Sequence, residues 1–123
     1  MLVEPPPPRI TALLDDLGID PEQVTVLRKS ALKVNDTLPT IWIVGTVDQI
    51  LLCCTHRTRG LWHRLARAEI NEARSEATAT GRFLLRLILN ADQDDIVIPF
   101  PAGLSMTEAK LIAATLPTAS KRT

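Results

Sequence analysis

The spacing of apolar positions changes period several times along the chain, and each change predicts an element. In "RITALLDDLGID", Ile10, Leu13, Leu14 and Leu17 recur at i, i+3, i+4 and i+7. That is one face of a short helix, and Gly18 suits the residue just past its end. At the other end of the chain, "SMTEAKLIAATLP" places Ala109, Ile112, Ala113 and Leu116 on one stripe. Ser105 and Glu108 form a capping box before it, and Pro117 stops it.

Between these helices the period is mostly two. In "RFLLRLILN", Phe83, Leu85, Leu87 and Leu89 alternate onto one face with Arg86 on the other. Ile96, Ile98 and Phe100 alternate again after the polar turn "NADQDD", so residues 83–100 predict a hairpin. Pro99 cannot donate to a ladder and places its strand at an edge. Ile41 to Val44 and Ile50 to His56 predict two more strands, with Gly45 to Gln49 turning the chain between them. Strands so close together must be antiparallel, because a parallel pair needs a much longer crossover.

Two segments read both ways. In "DPEQVTVLRKSALKV", Asp20, Pro21 and Gln23 suit the start of a helix, whereas the β-branched run Val24, Thr25, Val26 suits a strand. The strand reading is the stronger, with Arg28 and Ser30 interrupting its alternation as at a bulge or an edge. In residues 61–77 the Ala, Leu, Arg and Glu content favours a helix, while the surrounding strands favour another strand. The pattern as a whole predicts one antiparallel α+β domain, with its last helix covering an open part of the sheet.

Composition sets limits on this picture. The chain has 123 residues, room for one domain, with a hydrophobic share of 46% and a formal net charge of zero. Attraction to nucleic acid or to an anionic membrane must then come from a local patch. The aromatics are Trp42, Trp62, Phe83 and Phe100, too few for a base-stacking platform. No apolar run approaches the roughly 20 residues of a membrane span. "MLVEPPPPRI" has neither the basic nor the apolar region of a secretory signal. With two cysteines expected to stay reduced, the expected compartment is the cytoplasm. The expected organisation is a flexible Pro-rich leader over 1–9, a single domain over 10–117 and a flexible tail over 118–123.

The candidate chemistry gathers in "CCTHRTRGLWHR", residues 53–64. Adjacent Cys53 and Cys54 in a strand face opposite ways, and with His56 and His63 they lack the paired spacing of a structural zinc site, so no metal or cofactor is expected. Arg57, Arg59, Arg64 and Arg67 have no acid among them. At a hairpin tip their guanidinium groups suit a phosphate, a lipid headgroup or an acidic partner. The plainer reading is a solvated turn that opposes edge-to-edge association. Trp62 beside these arginines adds to the interface reading, since Trp and Arg are enriched at contact hot spots. The candidate binding residues are Arg57, Arg59, Trp62, His63 and Arg64. No serine lies in a nucleophile elbow and no glycines form a phosphate-cradling loop, so the chain is not expected to be an enzyme.

The order of elements resembles the bacterial pleckstrin-homology-like (PH-like) domains over about residues 20–117. The stretches that carry the resemblance are "DPEQV" before the first strand, the hairpin "IWIVGTVDQILLCCTHRTRG", a tryptophan segment leading into "AEI", the hairpin "FLLRLILNADQDDIVIPFP" and the closing helix "SMTEAKLIAATL". Thr55 to Arg59 would match the family's polar Thr- and Arg-containing strand end, and Ala68 to Ile70 its short isoleucine strand. The resemblance implies an antiparallel, partly open β-barrel with a short N-terminal helix and a C-terminal capping helix. It also implies a non-enzymatic binding or scaffolding module, with another protein as the expected partner. It carries over no ligand residue. The alternative is a small DNA-binding regulator in which "ITALLDDLGIDPEQVTVLRKSALK" forms a helix-turn-helix and Arg28, Lys29 and Lys33 meet phosphate. Asp15, Asp16, Asp20 and Glu22 in the same stretch argue against it.

Overall fold

A computed structural model describes residues 2–33, 40–54, 60–90 and 93–119. Helix α1 spans Pro8–Asp16 and leads through a 3-10 turn, Pro21–Gln23, into strand β1, Val26–Lys33. Strands β2, Thr40–Gly45, and β3, Gln49–Cys54, follow, then β4, Leu61–Ala66. A second 3-10 turn, Arg67–Glu69, leads into β5, Ile70–Ala77. Strands β6, Phe83–Leu89, and β7, Ile96–Pro99, precede helix α2, Met106–Thr115.

The strands form two antiparallel meanders, a four-stranded sheet in the order β1-β2-β3-β4 and a three-stranded sheet in the order β5-β6-β7. No ladder joins the two sheets among the described residues, so they face each other as an open sandwich and not as a closed barrel. The fold is thus the antiparallel α+β arrangement expected. Residues 83–100 pair as the expected hairpin, with Leu85 opposite Ile98 and Leu87 opposite Ile96. Pro99 sits on the outermost strand, where a missing N–H breaks no second ladder.

Both ambiguous segments resolve as strands for a tertiary reason. The Asp20–Gln23 signal is real but short: Gln23 Oε1 accepts from the Asp20 N–H (2.9 Å), and the turn lasts one revolution. Val26 onward then pairs with β2. The second helix that a helix-turn-helix requires is therefore absent from residues 24–33, which run extended. Residues 61–77 likewise pair with β3 and β6 on their two halves, and their helical propensity is confined to the 3-10 turn between them. Propensity is a weak prior beside such pairing.

The predicted interruption of β1 is a register shift between Lys29 and Lys33. Ser30 lies in it, almost fully buried, its hydroxyl donating to the Ile41 carbonyl (2.6 Å) and accepting from the Leu32 N–H (3.1 Å). A buried hydroxyl with both capacities used costs little to bury.

The main core fills the sandwich. Ile41, Ile43, Ile50 and Leu52 face Leu85, Leu87, Ile98 and Phe100, and α2 closes the side with Ala109, Ile112, Ala113 and Leu116, the stripe expected. Ser105 caps α2 by accepting from the Glu108 N–H (3.1 Å). A second core lies on the outer face of the four-stranded sheet, where Ile10 and Leu14 of α1 cover Leu27, Trp42, Val44, Leu51 and Cys53. Gly18, with φ of 74°, ends α1 as its position suggested.

The described residues at both ends of the chain are engaged with the sheets. Leu2 to Glu4 run parallel to β1, the Leu27 N–H donating to the Leu2 carbonyl and the Glu4 N–H to the Leu27 carbonyl (both 2.8 Å). The Glu4 carboxylate also accepts from the Lys29 N–H (2.7 Å) and lies 3.5 Å from Arg28, which also reaches Glu108 on α2 (3.7 Å). The prolines that favour an extended leader thus deliver three ordinary residues to an open strand edge, and Pro8 begins α1. At the other end Thr118 is buried and the Ala119 N–H donates to the Ile70 carbonyl (2.7 Å).

Candidate functional site

The site grows from the end of the β3–β4 hairpin. Of the expected binding residues, Arg57 and Arg59 lie outside the described residues, while Trp62, His63 and Arg64 stand on β4. Gly60, at the base of the hairpin, rests against Leu13 of α1, where an added Cβ would come within 3.1 Å of the leucine side chain.

β4 holds one extra residue. Leu52 pairs with His63 but Cys53 pairs with Leu61, so Trp62 has no opposite number on β3. Such a bulge turns the strand and re-aims its side chains. Trp62 there is 44% exposed, and its ring meets His63 edge-on at 4.6 Å between centroids. Arg64 goes elsewhere: it pairs with Leu51, and its Nε donates to Gln49 Oε1 (2.9 Å) near Asp48 and Glu69. Of these candidates, Trp62 and His63 thus lie together and Arg64 stands apart from them.

Trp62 and His63 line a groove of about 580 Å³ between β4 and the approach to β7. Its aliphatic lining comes from Leu65, Leu89, Ile96 and Val97, and its polar lining includes Asp94 and Asp95. One Asp95 oxygen is 3.3 Å from Arg86 Nη1 on β6. Arg86 in turn binds Glu76 through Nε (2.9 Å), and Arg74 adds a second bond to Glu76 (2.8 Å). Hydrogen bonding from Arg86 holds the Glu76 carboxyl below its ordinary value, with Arg74 assisting, and the same bond raises Arg86. The acids at 94 and 95 read from sequence only as part of a polar turn. Nothing local marks them as neighbours of Trp62, since the stacking of the two sheets brings them there.

The cysteines face opposite ways, as the pleat requires: Cys53 belongs to the outer core and Cys54 to the sandwich core. Burial, and then the adjacent Cys54, push the Cys53 thiol up to about 12, so it is a poor nucleophile. Among the described residues no three His, Cys, Asp or Glu side chains converge as a metal site requires. No helix among them is long and apolar enough to cross a membrane.

Set against known proteins, the chain matches no family model, and neither a curated protein nor a solved structure matches it.

Proposed function

We propose that this chain is a non-enzymatic interaction module of PH-like architecture, and that it meets a protein partner at the β3–β4 end. The PH-like reading draws support from the order of elements: a four-stranded meander, a three-stranded meander and a closing helix that packs into the gap between them. The contact reading rests above all on Trp62, an exposed residue at a bulge on the last strand of its sheet, a few positions after Arg57 and Arg59 in the sequence. Exposed Trp with nearby Arg is the composition of binding hot spots. An anionic ligand, by contrast, is disfavoured in the groove, because Asp94 and Asp95 repel it there.

The test compares partner capture by the intact chain with capture by Trp62→Ala, by the triple change of Arg57, Arg59 and Arg64 to Glu, and by Leu111→Ala on the exposed side of α2. The expected result is one partner lost by the first two variants, retained by the third, and unchanged thermal unfolding throughout. Equal capture by all four folded proteins overturns the reading.

A further inference from the structure

We infer that the groove beside β4 receives a single arginine or lysine side chain, presented by an extended segment of the partner protein. The inference rests on the interaction-module reading and adds the chemistry of what is recognised.

Three features of the groove converge on a cation with an aliphatic stem. Ile96, partly exposed, and Val97, 38% exposed, offer apolar surface of the kind that the methylenes of Lys and Arg cover, above a floor of buried Leu65 and Leu89. Trp62, 44% exposed and lining the groove, offers an indole ring, the aromatic group that best attracts a guanidinium or ammonium ion. Asp94 and Asp95 supply negative charge on the same groove. Asp95 already touches Arg86, and that contact puts one guanidinium at the border of the groove. Asp94 has no ion pair among the described residues.

Other occupants fit less well. Strand addition along β4 is hindered at both ends of the edge: the bulge at Trp62 breaks the repeat, and the Ala66 N–H is bound to Glu69 Oε2 (3.1 Å). Recognition there falls to an inserted side chain. An inorganic cation lacks a ligand set among the described residues, and an anion meets two carboxylates.

Two peptides separate charge from shape: N-acetyl-Ala-Ala-Arg-Ala-Ala-amide and its twin with citrulline, the neutral isostere, in place of arginine. Each is titrated into the full ¹⁵N-labelled chain. The arginine peptide is expected to shift the Trp62 indole N–H and the Leu89 and Ile96 amides, with the citrulline twin about tenfold weaker. Asp94→Asn should weaken the arginine peptide about fivefold, and Asp16→Asn on α1 should leave it unchanged. Equal binding of the two peptides, shifts that avoid Trp62, or indifference to Asp94→Asn would each overturn the inference. Those results leave the module reading standing, because that reading falls on equal partner capture by the intact chain and its three variants.

Discussion

The two sheets are built by different rules, and the difference lies in how many faces each one buries. The four-stranded sheet is covered twice, by the sandwich core on one side and by α1 on the other, so β3 is buried without a break from Ile50 to Cys54. The three-stranded sheet is covered once. Along β6, Leu85, Leu87 and Leu89 are buried while Leu84, Arg86 and Ile88 are only partly so. A strand packed on both faces reads as a continuous apolar run, and one packed on a single face reads as an alternation. The outward side of the second sheet carries instead a ladder of charges, Arg74, Glu76, Arg86 and Asp95.

The sharpest way to break this contrast uses two neighbours on β3. Leu51 and Leu52 are both fully buried but face different cores. Each change to Ala is expected to cost about 2–5 kcal/mol in urea unfolding. Ile88→Ala, on the open face of β6, should cost about 1 kcal/mol or less. If Leu51→Ala proves as mild as Ile88→Ala, the layer under α1 is not a true second core.

A smaller effect compares glycines beneath the two cores. A Cβ on Gly45 would lie 2.7 Å from Leu116 Cδ2 and 3.3 Å from Val26 Cβ, inside the sandwich. Gly45→Ala is expected to destabilise by about 1–3 kcal/mol, the usual range for overpacking. Gly60→Ala meets only the outer part of the Leu13 side chain, at 3.1 Å, and should cost less than Gly45→Ala. Equal losses in thermal melts would mean that α1 is held as rigidly as α2.

The smallest effect belongs to the charged ladder. Glu76 is held below its ordinary value of 4.5 in the folded chain, so its contribution is present above that value and fades as the pH falls through the folded one. Urea midpoints at pH 7 and pH 3 should therefore differ more for the native chain than for Glu76→Gln. High salt should narrow that gap, since the groups are solvent-accessible. A Glu76→Gln protein that loses stability on acidification as fully as the native chain would remove the ladder from the account.

Much of this architecture is written locally. The alternation over 83–100, the stripe of α2 and the β-branched start of β1 each name their element, because a period or a stiff side chain acts within a few residues. Residues 61–77 do not, since their Ala, Leu, Arg and Glu composition suits a helix and only pairing with β3 and β6 overrules it. The leader is a similar case: four prolines speak for an extended chain, yet Leu2 to Glu4 find the edge of β1. For the site, Trp62 and His63 stand out beside the basic tip. Their acidic neighbours come from a turn some thirty residues further on, joined to them by the packing of one sheet across another. The bulge that turns Trp62 outward leaves no signature in composition at all.

Cys53 and Cys54 are consecutive in the chain but separated by the thickness of a sheet, each sealed beneath a different roof. Lifting α1 would uncover the first sulfur and parting the sandwich the second. The protein thus carries two adjacent thiols that report on two different layers, and a disturbance confined to one layer would mark one thiol while sparing its neighbour.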